Sequence, residues 1–228
     1  MIHCIGDSHS SVFSGEEVMQ PIWPQRSNDC LEFFRSYRIG AATAYQLQNK
    51  VPLINQLIMS TNILEGDSLM FCFGEVDIRA HLIKQASLQD KSVLELVKEC
   101  TQRYIGALQE FRKYNLPIIV WGPIASWVES KPYTGGPSFG SNIERNLVTE
   151  EFNFQLKIKC QASGFSFISL FEEMTNKKGE TMGTFLDDWD GCHMHLSQRA
   201  MPAIIEKFKS EGLIPPMSKQ IKIRPLHD

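Results

Sequence analysis

The chain has 228 residues, of which 43% are hydrophobic and 21% charged, and its formal net charge at pH 7 is −3. These proportions are ordinary for a globular protein, and the length fits one domain better than two small ones. The slight negative charge argues against the basic surfaces that bind nucleic acids or anionic membranes, so neither is expected as a partner. No apolar run approaches the roughly 18 residues that a membrane span requires.

The six cysteines are scattered singly along the chain and form no C-x-x-C pair. This spacing indicates neither a zinc knuckle nor a redox motif, so neither a metal nor another cofactor is expected. The first apolar run begins almost at Met1 and leaves no room for a signal peptide. We therefore expect a cytoplasmic protein with reduced thiols.

Apolar strand-like runs alternate with longer helical patterns, which predicts a parallel sheet covered by helices on both faces. The predicted strands cover residues 2–5, 33–39, 68–73, 117–121 and 165–170. The predicted helices cover residues 41–50, 91–114, 142–161 and 198–211. The expected fold is therefore α/β, with three layers and a doubly wound, mostly parallel five-stranded sheet.

Two segments interrupt this alternation. Glycines and prolines predict a loop over residues 130–141, after the fourth strand and at the edge where open α/β sheets place their ligands. This loop either faces a substrate or simply connects to the next helix. Pro215-Pro216 end the helical pattern, so residues 213–228 are predicted to extend a domain that spans residues 1–212.

Polar blocks follow the first three predicted strands and recur near the end of the chain. They are Gly6-Asp7-Ser8, Gly40, Gly74-Glu75-Val76-Asp77 and Asp190-Gly191-Cys192-His193. Because the carboxyl ends of parallel strands meet at one edge of a sheet, one crevice can collect all four blocks. A serine becomes nucleophilic when a histidine, oriented by a carboxylate, takes its proton. The blocks therefore predict a hydrolase or acyl-transfer site built on Ser8, His193 and Asp190.

The order and spacing of these blocks, over nearly the whole chain, resemble the SGNH (GDSL-like) hydrolase superfamily. The resemblance implies a flavodoxin-like fold, with Ser8 as nucleophile, His193 as base and Asp190 as the group that orients it. It also implies that the backbone N–H groups of Ser8 and Gly40 stabilise the oxyanion, each worth roughly 3–4 kcal/mol. The implied substrates are acyl esters, among which small or carbohydrate O-acyl esters are favoured, for hydrolysis or transfer.

The third block departs from the family pattern, which reads Gly-x-Asn-Asp and takes an oxyanion donor from the asparagine. Val76 stands at that position and donates nothing, so another group supplies the donor, catalysis is weak, or the site only binds. Arg79 and His81 are close enough in sequence to reach the hole, although Glu75 and Arg79 are four residues apart and are expected to pair on a helix. The remaining candidates for oxyanion or substrate binding are Asp7, Gly74, Glu75, Asp77 and His195.

Two histidines compete for the position beside Ser8. Asp190 and His193 have the Asp-x-x-His spacing, whereas His195-Leu196-Ser197 also resembles the end of the family's last block. We favour His193, because about one turn separates it from Asp190. His195 is then left to cap, bind substrate or face solvent. The neighbouring Asp187-Asp188 is predicted to be a solvated turn.

Two other functions stay open. Gly6-Asp7-Ser8-His9 resembles the opening block of metallophosphoesterases, and Cys192-His193-Met194-His195 faintly resembles their closing block, although their middle block is missing. In such a site two metal ions would clamp a phosphoryl group. A non-catalytic binding module of the SGNH fold is the other alternative, and Val76 is its main support. The oligomeric state is left open.

Overall fold

The computed structural model describes residues 1–128, 136–187 and 193–215. Five parallel strands form one sheet in the order β2-β1-β3-β4-β5. The strands are β1 Ile2–Gly6, β2 Phe34–Arg38, β3 Ser68–Cys72, β4 Ile118–Trp121 and β5 Ser166–Ile168. Each lies within one residue of, or inside, a predicted strand. The predicted α/β fold with a five-stranded parallel sheet is confirmed.

Helices connect and cover these strands. The α-helices of the described residues are α1 Val51–Ser60, α2 Glu75–Asp77, α3 Ile83–Gln89, α4 Val93–Gln109, α5 Asn142–Ser163, α6 Phe171–Met174 and α7 Met201–Ser210. Shorter 3₁₀ turns cover Ser8–Ser14, Leu47–Lys50, Glu110–Tyr114, Gly183–Phe185 and Gln198–Ala200, and a π turn covers Ile78–Leu82. None of the helices in this part of the chain is long and apolar enough to cross a membrane.

The predicted helix over residues 41–50 was wrong, because the regular helix α1 begins only at Val51. Pro52 lies in the first turn of α1, where a proline has the right φ and its missing N–H costs nothing. The long helix predicted after Lys91 is confirmed as α4, which begins with a capping box between Ser92 and Glu95.

The sheet buries apolar side chains on both faces. In β3, Leu69 and Phe71 point to the face covered by α1, α4 and α5. Met70 and Cys72 point to the opposite face, which is covered by the Ser8–Ser14 turn, α6 and α7. This alternation follows from the two-residue period of a strand, and it produces two apolar layers with the sheet between them.

Two glycines shape the carboxyl edge of the sheet. A Cβ atom on Gly6 would lie 2.7 Å from the carbonyl oxygen of Cys72, so only glycine allows β1 to turn this close to β3. Gly40 has φ +85°, a left-handed conformation that favours glycine. The Ile39 N–H donates to the Gly6 carbonyl at 2.8 Å, which holds the loop after β2 beside the turn after β1.

Candidate active site

Asp7 forms the turn that presents Ser8. Its Oδ1 accepts the backbone N–H of His9 at 2.9 Å and so caps the 3₁₀ turn that begins at Ser8. Burial raises the pKa of the Asp7 carboxyl to about 6, and the nearby His9 opposes part of that rise. The cap leaves the Ser8 side chain partly exposed at the carboxyl edge of the sheet.

His195 is the histidine that the structure brings to Ser8. Its Nε2 lies 2.9 Å from Ser8 Oγ, within hydrogen-bonding distance. The imidazole is almost fully buried, whereas Ser8 is only half-buried. A contact between residues 187 positions apart in the chain thus closes the site from both ends of the sequence.

Asp187 lies behind His195, on the side away from Ser8. Its Oδ2 is 3.8 Å from His195 Nδ1, and its Oδ1 accepts the His195 backbone N–H at 3.2 Å. An antiparallel bridge between Leu186 and Leu196 aligns the two residues, and the Asp187 N–H donates to the His195 carbonyl at 2.9 Å. Asp187 is 1% exposed, so the prediction of a solvated turn was wrong for this residue. Asp188 lies outside the described residues.

His195, and not His193, occupies the position at Ser8. His193 has a left-handed φ of +51°, and its Nδ1 lies 2.9 Å from the Asp187 carbonyl oxygen. Asp190, the predicted orienting group, lies outside the described residues. The geometry therefore differs from the sequence-based preference, because the bridge between Leu186 and Leu196 places His195 beside Ser8.

Glu17 fixes the end of the histidine-bearing segment. Its Oε1 accepts the Ser197 hydroxyl at 2.9 Å and the Gln198 N–H at 2.7 Å. Glu17 follows the 3₁₀ turn that begins at Ser8, so these bonds tie the two segments that carry Ser8 and His195. The sequence patterns contained no signal for this link.

The third block supplies a buried ionic cluster beside Ser8. Glu75 Oε1 accepts from Arg79 Nε at 2.7 Å, which confirms the expected helical pair, and Glu75 Oε2 lies 3.2 Å from His9 Nε2. Burial by itself would raise the pKa of Glu75, but His9 and Arg79 outweigh it and hold the pKa at about 2. The Arg79 Nη1 also donates to the Pro137 carbonyl at 2.8 Å, anchoring the described end of the predicted loop after β4.

Asp77 joins the third block to the loop that carries Gly40. Its Oδ2 accepts the Ala44 N–H at 2.6 Å, and its Oδ1 accepts the Tyr45 N–H at 3.0 Å. Burial raises the pKa of Asp77 to about 6, although those two N–H groups oppose the rise. Gly74 also has a structural role, because a larger residue does not fit there. A Cβ atom at this position would lie 2.7 Å from Pro123 and 2.9 Å from Phe152.

A cleft opens beside this linked pair of loops. Its volume is about 410 Å³, and Asp77 contributes to its lining. The remainder of the wall combines polar side chains, the charged Lys91 and Glu99, and the apolar Leu82 and Leu96. The polar side chains are those of Thr43, Tyr45, Gln46, His81, Gln85 and Gln89, and neither Ser8 nor His195 lines this cleft. Within the described residues, no group of three or more His, Cys, Asp or Glu side chains is arranged to hold a metal ion.

Comparisons with known proteins give structural similarity without sequence similarity. No protein-family model matches the chain, and no curated protein matches it significantly. A lipolytic G-D-S-L family protein from Veillonella parvula matches 92% of this chain and 96% of its own, at 15% identity and a TM-score of 0.52. A GDSL-like lipase from Bacteroides thetaiotaomicron matches 92% and 86%, at 10% identity and a TM-score of 0.55.

An acetyl xylan esterase also matches 92% of this chain and 99% of its own, at 14% identity and a TM-score of 0.52. At such low identity, the likeness bears on the fold and leaves the individual residues open. The strand order, the covered sheet and these neighbours together show that the chain has the fold of the lipolytic G-D-S-L hydrolases.

Proposed function

We propose that this protein hydrolyses acyl esters with Ser8 as nucleophile, His195 as general base and Asp187 as the group that orients the base. The observation that carries the proposal is the 2.9 Å distance between Ser8 Oγ and His195 Nε2, with the Asp187 carboxylate on the opposite side of the ring. Nucleophile, base and orienting acid in this order are the arrangement that activates a serine.

The reaction follows two steps. His195 Nε2 takes the Ser8 proton as Ser8 Oγ attacks the ester carbonyl, and the protonated imidazole then gives that proton to the leaving alcohol. Water, deprotonated by the same imidazole, attacks the acyl-serine. The imidazolium returns that proton to Ser8 Oγ as the bond between the acyl group and Oγ breaks, and the acid is released. Asp187 stabilises the imidazolium that forms in each half of the reaction.

The backbone N–H groups of Ser8 and Gly40 are the proposed donors to the oxyanion. The bond from Ile39 N–H to Gly6 O supports this role, because it holds residue 40 beside the serine turn. Asp77 supports it from the other side by anchoring Ala44 and Tyr45. Preorganised donors need no rearrangement when charge develops on the carbonyl oxygen.

The cleft beside Asp77 is the proposed site for the alcohol portion of the substrate. Its volume of about 410 Å³ suits a small ester, and its hydroxyl, amide and charged side chains offer hydrogen-bond partners to a carbohydrate O-acyl ester. The acetyl xylan esterase among the structural neighbours is compatible with this choice of substrate class.

The test compares wild type with Ser8→Ala on p-nitrophenyl esters from acetate to octanoate, with a chelator present. We expect short-chain turnover that falls at least about 10⁴-fold in Ser8→Ala while the circular dichroism spectrum is unchanged. Equal turnover in both proteins would overturn the serine assignment. An absence of turnover, together with no labelling of wild type by a fluorophosphonate, would favour the binding module.

A further inference from the structure

His9 lies against His195, yet the proposed reaction steps do not use it. The centroids of the two imidazole rings are 4.7 Å apart, with the rings tilted by 41°. His9 directly follows Ser8 in the chain and is 8% exposed. One imidazole of this pair contacts the nucleophile, and the other faces the ionic cluster of the third block.

Charged groups from three segments surround His9. Asp7 in the preceding turn accepts the His9 N–H, and Glu75 after β3 places its Oε2 3.2 Å from His9 Nε2. Arg79 binds the other oxygen of Glu75 and partly offsets its charge. From the segment near the end of the chain, His195 contacts His9, and Asp187 lies on the far side of His195. His9 thus has two carboxylates and one guanidinium nearby.

The ionic neighbours favour a proton on His9. Burial, the largest influence, lowers the pKa of His9, but Glu75 and Asp7 together outweigh it, so the net pKa is raised. Glu75 keeps its negative charge, because its pKa is held at about 2. The contact with Ser8 Oγ, by contrast, requires that His195 Nε2 be free of a proton if it is to accept from the serine hydroxyl.

We infer that the two imidazoles titrate as one coupled pair whose first proton resides on His9, so that His9 is a positioning residue that keeps His195 in the neutral form needed to activate Ser8. Two cationic rings at this separation repel each other, so the charge on His9 disfavours a second proton on His195. This inference rests on the proposed function, since it assigns His9 a role in the same site.

The consequence is a pH–activity profile that extends to lower pH than an isolated histidine base allows. The acid limb of kcat/KM reports the protonation of the essential base in the free enzyme. Removal of the His9 charge relieves the repulsion, and His195 then gains its proton at a higher pH. Removal of the negative charge on Glu75 makes the proton on His9 less stable. His195 is then also expected to gain its proton at a higher pH.

The decisive experiment compares the pH dependence of kcat/KM in wild type, His9→Gln and Glu75→Gln. We expect the acid limb of His9→Gln to move up by about one pH unit, with kcat/KM at high pH within about tenfold of wild type. The limb of Glu75→Gln should move in the same direction by a smaller amount, although this variant keeps the imidazole ring. His3→Gln, which removes an imidazole elsewhere in the fold, should leave the limb in place.

An unshifted acid limb in His9→Gln, or a shift to lower pH, would overturn the inference. If His9 had a purely structural role, its replacement would lower activity equally at every pH. The acid limb would then not shift more in His9→Gln than in Glu75→Gln. If either variant fails to fold, NMR titration of wild type still decides the question. The His9 ring should remain protonated near pH 7 while the His195 ring is neutral, and a neutral His9 would contradict the inference.

The same NMR titration separates this inference from the proposed function. A wild type that neither turns over esters nor reacts with a fluorophosphonate would remove the catalytic role of Ser8. The order in which His9 and His195 take up protons would still be measured. A wild type that is active, with a neutral His9, would retain the proposed function and reject the coupled pair.

Discussion

Two constellations of aspartate, histidine and hydroxyl lie at opposite ends of the sheet. At the carboxyl edge, His195 lies between Asp187 and Ser8, with distances of 3.8 and 2.9 Å. Near the amino-terminal ends of the strands, His3 Nε2 lies 3.0 Å from Asp67 Oδ2, and His3 Nδ1 lies 3.1 Å from the Tyr37 hydroxyl. The second set has the shorter contact between aspartate and histidine.

The difference lies in the surroundings of the hydroxyl group. Burial raises the pKa of Tyr37 to about 12, and the phenol belongs to β2 within the sheet. Ser8 instead begins a 3₁₀ turn at the edge where the loops after β2 and β3 converge, and open α/β sheets bind their ligands at this edge. Contact among an aspartate, a histidine and a hydroxyl is therefore not enough to identify an active site. Their position at the carboxyl edge, beside backbone donors, distinguishes the candidate active site from a structural network.

The largest contrast is expected from the two buried histidines. We predict that His195→Gln lowers kcat/KM for a short p-nitrophenyl ester about 10³-fold or more, because Ser8 loses its base. His3→Gln should remain within about threefold, since its ring contacts only structural partners. His193→Gln provides a second control and should remain within about tenfold. A larger loss in His193→Gln than in His195→Gln would restore the sequence-based assignment.

The two aspartates should separate activity from stability. Asp187→Asn is expected to lower kcat about 10²- to 10⁴-fold, because an amide neither fixes the required tautomer nor stabilises the imidazolium. Asp67→Asn should leave kcat nearly unchanged but lower the free energy of unfolding by about 1–3 kcal/mol, because it weakens the bonds from His3 and the Leu64 N–H. Initial rates measure the activity of both variants, and urea denaturation measures their stability. The predicted contrast is wrong if both variants lose mainly activity.

The smallest effect concerns the pH dependence of stability. Burial lowers the pKa of His3 despite Asp67, so the unfolded chain binds a proton more readily, and this site loses stability as pH falls below about 6.5. The raised pKa of His9 changes stability with pH in the opposite direction. Its contribution to the free energy of unfolding is fully present at acid pH and is lost as pH rises through that pKa.

Urea unfolding at about pH 5.5 and about pH 7.5 measures how the stability contributions of His3 and His9 change with pH. The stability gap between wild type and His3→Gln should narrow at the lower pH, whereas the gap between wild type and His9→Gln should widen. Parallel shifts of the two gaps would show that the two histidines do not differ in protonation.

The predictions that depended on neighbours in sequence agree with the structure. The run from Ser68 to Phe73 is apolar between turn residues, and its core forms β3 with side chains alternating between two apolar layers. Gly6-Asp7-Ser8 forms the expected tight turn, because a close approach to β3 needs glycine and a cap needs a short carboxylate. The four-residue spacing of Glu75 and Arg79 likewise sufficed to predict their pair.

The late segment shows why the remainder of the site escaped prediction. The short spacing of Asp190 and His193 pointed to a local pair, whereas the structure aligns Asp187 with His195, eight positions along the chain, through an antiparallel bridge. Only the His-Leu-Ser sequence hinted at His195. The contact of His9 with His195 had no sequence signal, because it joins two segments that are remote in the chain.

The sequence by itself determined the parallel α/β fold and the turn at Ser8, since periodicity and turn chemistry act between near neighbours. Only the tertiary structure decided which histidine reaches Ser8, which aspartate stands behind it and which charges surround His9. Those choices depend on distances between residues that are remote in the chain, and such distances are set by the packing of the whole sheet and its covering helices.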